Sequence, residues 1–258
     1  MSILDTIIAQ KRAELKDKHR KGLIPPEHEV SSPRGFREAL VSDPGVSIIA
    51  EVKKASPSKG LLCPNFDPVS IAEDYQAGGA KAVSVLTDER FFQGNLEFIP
   101  KIRNEIDLPI LRKDFIIDHF QIDEARLWGA DAVLLIVAAL DDSMLSELMA
   151  HTRENGIDPL VEVHNENEME RALAANADFI GVNNRNLEDF SVSIETTFRI
   201  KKALPSEVPL VSESGISTPD NIKRLLDAGI IATLIGEALV KAKDRITSLA
   251  ALVEAGKM

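Results

Sequence analysis

Three short apolar runs, PILRK, PLVE and PLVSE, begin at Pro109, Pro159 and Pro209, and each ends on an ionisable residue: Lys113, Glu162 or Glu213. One ammonium and two carboxylates at a common spacing are the parts of a proton-transfer site, a donor and acceptors whose strengths the surroundings can set. A fourth run, IIAEVKKASPSKG, adds Glu51 and Lys53. Side chains alternate faces along an extended strand, so Ile49, Glu51 and Lys53 share a face. The same alternation joins Leu111 with Lys113, Leu160 with Glu162, Gly181 with Asn183 and Val211 with Glu213. One such strand could carry solvated charges. Repeated on five strands, the pattern points to an interior where ionisable groups are costly unless paired or used.

Proline is tolerated at the first residue of a strand, where its missing N–H matters least, so the three prolines mark equivalent strand starts. Helix-to-strand junctions at Gly79, Gly129, Asn176 and Gly229 interleave with them and precede the runs AVSVLT, AVLLIV, FIGVN and ATLIG. Together the two series predict one βα unit about every 25 residues. Strands are expected at 46–53, 82–88, 109–114, 132–137, 158–163, 179–184, 209–214 and 232–236. Helical stretches fill the intervals; in DPVSIAEDYQAGG, Asp67 can cap, Pro68 suits the first turn and glycines close the end. Apolar strands with helices between them imply a parallel sheet covered on both faces. The expected fold is α/β, a single (β/α)8 TIM barrel over 46–258, and a doubly wound sheet is disfavoured because no GxGxxG follows a strand.

Residues 1–45 have no place in the repeat. Ser2 and Asp5 resemble a capping box, and Ile3, Leu4, Ile7, Ile8 and Leu15 fall near helical spacing, which predicts an amphipathic N-terminal helix. Residues 21–45 read as irregular chain around a short helix at 34–41. This helical extension is expected to cover one end of the barrel or the outside of its helix ring.

A formal charge of −11 over 258 residues argues against sequence-independent nucleic-acid binding, so an anionic ligand needs a local site. No apolar run approaches a membrane span, and the charged first twenty residues do not resemble a secretory signal. Cys63 is the single cysteine, which rules out an intrachain disulfide or a CxxC cluster and suits a cytoplasmic protein. It is expected to be unreactive. The histidines, His19, His28, His119, His151 and His164, form no HxH or HExxH pattern. Each is expected to be solvated or capping, and no metal site is expected.

After the seventh and eighth strands come SESGI, with Ser214 and Gly215, and LIGEAL, with Gly236 and Glu237. Glycine just past a strand lets backbone N–H groups approach an anion, and barrels often bind phosphate at these two strands. Ser56 and Lys53 would be neighbours across the barrel seam. Phe91 and Phe92 follow the second strand and Phe115 follows Lys113; they could support a flat apolar substrate or plug the gap beneath loops.

At IIAEVKKASPSKG, LRKDF, VEVH, IGVNNRNL, VSESGI and LIGEAL the chain resembles indole-3-glycerol phosphate synthase of tryptophan biosynthesis, in order and over nearly its whole length. The resemblance implies ring closure of 1-(2-carboxyphenylamino)-1-deoxyribulose 5-phosphate to indole-3-glycerol phosphate, with loss of carbon dioxide and water and no cofactor. It implies Lys113 as general acid and Glu162 as catalytic carboxylate, with Glu51 and Lys53 beside them; which lysine and which glutamate serve each step stays open. Asn183 would orient Glu162 or a substrate hydroxyl, and Arg185 with the lysines would hold the substrate carboxylate. Ser56, Ser214, Gly215, Gly236 and Glu237 match phosphate-binding positions, and Glu213, Leu234, Phe92 and Phe115 are expected as further substrate contacts. The alternatives are another phosphosugar barrel, such as phosphoribosylanthranilate isomerase, or a non-catalytic barrel that binds a phosphorylated ligand. The isomerase normally uses an Asp and a Cys at strand ends, and Cys63 lies well beyond the first strand. No partner protein is indicated; a monomer is expected, with weak self-association as the alternative.

Overall fold

A computed structural model of the chain describes residues 2–27, 29–187 and 189–258. Eight parallel strands close into a barrel: β1 (Ser47–Val52), β2 (Ala82–Leu86), β3 (Ile110–Lys113), β4 (Ala132–Ile136), β5 (Asp158–Val163), β6 (Ile180–Asn183), β7 (Leu210–Glu213) and β8 (Ala232–Ile235). Each pairs with its neighbour in sequence, and β1 closes the ring by pairing with β8, Ile49 opposite Leu234. The architecture is a (β/α)8 TIM barrel with an N-terminal helix, and the eight strands lie within the ranges expected from the repeat. Asn176 stands at its junction with φ 62°, beside glycines at φ 92°, 91° and 66° in the equivalent places, because asparagine tolerates the left-handed turn that ends each helix.

Alternation sorts the strand residues into two cores. Ile48, Ala50, Val83, Val85, Val133, Val161 and Val182 face the helices, whereas Ile49, Ala82, Leu111, Ala132, Leu160, Val211 and Ala232 fill the barrel. The interior is therefore packed apolar below, and Glu51, Lys113, Glu162 and Glu213 come last or next to last on their strands, at the mouth. Asp67, Asp88, Asp118, Asp141 and Asn165 each accept a hydrogen bond from the first turn of the helix they precede, which ends the connecting loop and starts the helix.

The N-terminal extension differs from expectation: it serves both ends of the barrel. α1 (Ile3–Lys21) begins with the anticipated capping box of Ser2 and Asp5 and buries Ile7, Ile8 and Leu15 at the mouth. It is fastened by Lys11, which is 6% exposed and pairs with Asp88 at 2.8 Å and Asp114 at 2.9 Å, and by Lys18 with Glu124 at 2.6 Å. The chain then descends to the floor, where α2 (Phe36–Val41) inserts Phe36 and Leu40 beneath the barrel core beside Phe179. Asp131 receives the Arg34 N–H at 2.8 Å and the Arg103 guanidinium at 2.8 Å, and Asp158 receives the Arg37 N–H at 2.9 Å. An open barrel floor exposes apolar side chains, and this segment covers them. Among the described residues no helix is long and apolar enough to cross a membrane.

Candidate active site

The strand ends surround a cavity of about 860 Å³. The residues expected to act on or bind substrate line it: Glu51, Lys53, Ser56, Phe92, Lys113, Phe115, Glu162, Asn183, Arg185, Glu213, Ser214, Gly215, Leu234, Gly236 and Glu237; Phe91 does not, and lies instead against the Arg90 guanidinium. Ile3, Leu4 and Ile7 of α1 close one side, and Leu187, Phe190 and Val192 close another. A hairpin pairs Ala55–Ser56 with Gly60–Leu61 and presents Ser56 to the cavity; the repeat gave no sign of it, since its two-residue arms lie outside the βα rhythm.

Lys113 is the hub. Its Nζ lies 3.2 Å from Glu162 Oε2 and also pairs with Glu213 Oε2. Burial works against its charge, yet Glu213, Glu162 and Glu51 outweigh burial and hold its pKa above the ordinary lysine value. The two carboxylates that share it differ. Glu162 would be raised by burial, but Lys113, His164 and an Asn183 hydrogen bond bring it well below the usual carboxylate range. Glu213, pushed up first by burial and further by neighbouring Glu162, reaches about 7 in spite of Lys113. Its Oε1 is buried without a hydrogen-bond partner. One cation between two carboxylates thus leaves one firmly ionised and the other able to carry a proton near neutral pH.

Glu51 and Lys53 form a second ion pair, on β1 and just past it. Gly236 lies against this pair, and a Cβ there would collide with Glu51 Oε2 and come within 2.9 Å of Lys53 Nζ. Gly181 similarly leaves room for Glu213 Oε1. Both glycines therefore accommodate the charged residues, a role the sequence did not suggest for Gly236.

Ser214 and Gly215 both adopt positive φ, 67° and 82°, turning the chain sharply at the end of β7 toward the cavity. A serine held there is strained, as residues at functional sites often are. Arg185 donates its backbone N–H to Asn183 Oδ1 at 3.0 Å and its guanidinium to Phe190 O at 3.2 Å, so the arm stands over the mouth. Phe92 and Phe115 face each other with centroids 6.1 Å apart and planes tilted 37°, a wall for a planar ring. Cys63 is buried with Sγ 3.9 Å from Arg245 and does not line the cavity.

His164 corrects an expectation. It is not solvated: its side chain is 10% exposed, with Nε2 3.3 Å from Glu162 Oε1 and Nδ1 2.9 Å from Glu168 Oε2. A signal was present, since His164 stands two residues after Glu162 and four before Glu168. Lys11 was passed over too, because its acidic partners are remote in sequence. His28 lies outside the described residues.

The model of the family described as indole-3-glycerol phosphate synthase matches residues 4–252. The chain is 54% identical over 243 residues to indole-3-glycerol phosphate synthase of Desulfotalea psychrophila, covering 93% of this chain and 94% of that protein. It is 49% identical over 258 residues to the same-named protein of a Roseiflexus species, covering 94% and 95%. Among solved structures, KGPDC from Streptococcus mutans superposes with a TM-score of 0.65 at 11% identity, over 82% of this chain and 97% of that one. 3-Hexulose-6-phosphate synthase gives a TM-score of 0.65 at 15% identity, over 81% and 99%. At such identities these two share the fold alone.

Proposed function

The chain belongs to the indole-3-glycerol phosphate synthase family, and from that premise we propose how the residues of its mouth divide the work. The protein is a carboxy-lyase that converts 1-(2-carboxyphenylamino)-1-deoxyribulose 5-phosphate to indole-3-glycerol phosphate, carbon dioxide and water. Ring closure joins the carboxylate-bearing ring carbon to the ketone carbon; carbon dioxide then leaves, and loss of the new hydroxyl as water completes the indole. Each step asks for a proton donor, a proton acceptor and charge stabilisation, which side chains supply.

The observation that carries the assignment is the single ammonium of Lys113 held between Glu162 and Glu213. Lys113 protonates the ketone oxygen as the ring carbon attacks. When it turns to the substrate, Glu162 loses its strongest stabilising charge, becomes more basic, and takes the proton released during dehydration. Glu213, titrating near 7, returns a proton to Lys113 between turnovers. Lys53, aligned by Glu51, assists the departing hydroxyl. Asn183 steadies Glu162. Phe92 and Phe115 receive the aromatic ring, with Leu234 beneath it, and Arg185 takes the substrate carboxylate before it leaves. Ser56, Ser214, Gly215, Gly236 and the Glu237 backbone receive the phosphate. The single cysteine fits a reducing compartment such as the cytoplasm.

Conversion of the substrate, followed by the ultraviolet absorbance of the indole product, tests this reading. Wild-type protein forms indole-3-glycerol phosphate and Lys113→Ala does so at least a hundredfold more slowly, on the order expected for loss of an acid at the reacting oxygen. Equal rates would remove Lys113 from the mechanism.

A further inference from the structure

His164 lies just past β5, where both its ring nitrogens face carboxylates: Nε2 is 3.3 Å from Glu162 Oε1, and Nδ1 is 2.9 Å from Glu168 Oε2. Glu168 belongs to the helix Glu166–Ala174 that follows and is itself fixed. Its Oε1 accepts from Asn165 Nδ2 at 2.8 Å, its Oε2 also accepts from the His164 backbone N–H at 2.8 Å, and its own N–H donates to Asn165 Oδ1 at 2.9 Å. The ring thus pairs with a carboxylate that the start of that helix already holds in place. A neutral imidazole has one donor, and two facing carboxylates are both satisfied only by the imidazolium. Burial opposes that charge, but Glu162 and Glu168 overcome it and raise the His164 pKa to about 10. Nε2 is buried without a well-directed hydrogen bond, so its hold on Glu162 is charge on charge.

Glu162 has other neighbours. Lys113 approaches from β3 and Asn183 from β6, while Glu213 on β7 shares Lys113 and opposes Glu162 as a like charge. In the reaction Lys113 releases its proton to the substrate, which removes its attraction for Glu162 when a carboxylate base is needed. His164 is the cation on the other oxygen. We propose that His164 is a positioning residue: anchored by Glu168, it keeps Glu162 oriented and ionised while Lys113 is engaged with substrate. This rests on the reading of Glu162 as the proton acceptor.

The test is the pH dependence of kcat and KM for the full chain carrying His164→Gln, Glu168→Gln or Glu162→Gln. His164→Gln should lower kcat about tenfold or more with KM nearly unchanged, within the range that supporting contacts of this kind carry. Its acid limb should move to higher pH, because Glu162 without the imidazolium takes up a proton more readily. Glu168→Gln keeps the ring but removes the charge that sustains its proton, so its alkaline limb should move toward neutral pH. A merely structural role would change thermal stability and leave both limbs in place. If Glu162→Gln is inactive while both other variants keep wild-type kcat and limbs, His164 has no positioning role and the base assignment stands. If Glu162→Gln keeps wild-type turnover, the base assignment falls and this inference with it. Should His164→Gln fail to fold, judged by circular dichroism, the alkaline limb of Glu168→Gln decides.

Discussion

Lys113 and Glu162 meet across the barrel mouth, Nζ 3.2 Å from Oε2, although their strands are separated by β4. In a barrel of this kind alternate strands contribute to one interior layer, so residues of β3, β5 and β7 come together while β4 contributes elsewhere. Glu213 of β7 completes the same layer. The lysine proposed as acid, the glutamate proposed as base and the carboxyl raised to about 7 are therefore brought together by one geometric rule.

The first prediction separates acid from base. Glu162→Gln keeps shape but cannot accept a proton, so kcat should fall by about a hundredfold or more while KM changes little. Steady-state kinetics measures both constants; a loss confined to KM would make Glu162 a substrate clamp.

A second prediction concerns Glu213, whose folded pKa of about 7 lies above the ordinary 4.5. Because the pKa is raised, the folded state holds this proton more tightly than the unfolded chain. The stabilising contribution is complete below 4.5 and is lost as pH rises through about 7. Glu213→Gln lacks that loss, so its urea midpoint relative to wild type should be higher at pH 8 than at pH 5. The opposite trend would show that pairing with Lys113 dominates burial.

Lys11 provides a third. Asp88 Oδ1 caps the short helix that carries Phe92, accepting from Phe91 N at 2.7 Å, and its Oδ2 faces Lys11. Lys11→Met strands a buried charge, which should cost about 3 kcal/mol in urea denaturation. Adding Asp88→Asn should recover part of it. Strict additivity in the double-mutant cycle would show that the two residues are uncoupled.

Gly236 provides the fourth. A side chain there must displace Glu51 and Lys53, so Gly236→Val should lower kcat as well as raise KM, with inorganic phosphate competing less well. An effect on KM alone would restrict the position to binding phosphate.

How much of this was readable in the chain depends on the range of the interaction. Strand positions, the inward face of Glu51, Lys113, Glu162, Asn183 and Glu213, and the caps at Ser2 and Asp67 follow from neighbours a few residues away. A strand reverses its face at every residue and a helix is capped within its first turn, so spacing alone settled them. The sequence by itself determined the fold and which strand residues, Glu51, Lys113, Glu162, Asn183 and Glu213, the mouth would collect. Tertiary structure decided which groups touch. It set Lys11 against Asp88 and Asp114, turned His164 inward onto Glu162, carried the extension from mouth to floor, and separated Glu162 from Glu213 in proton affinity. Burial and charge act through space over a few ångströms, and no spacing along the chain encodes which remote residues will occupy that distance.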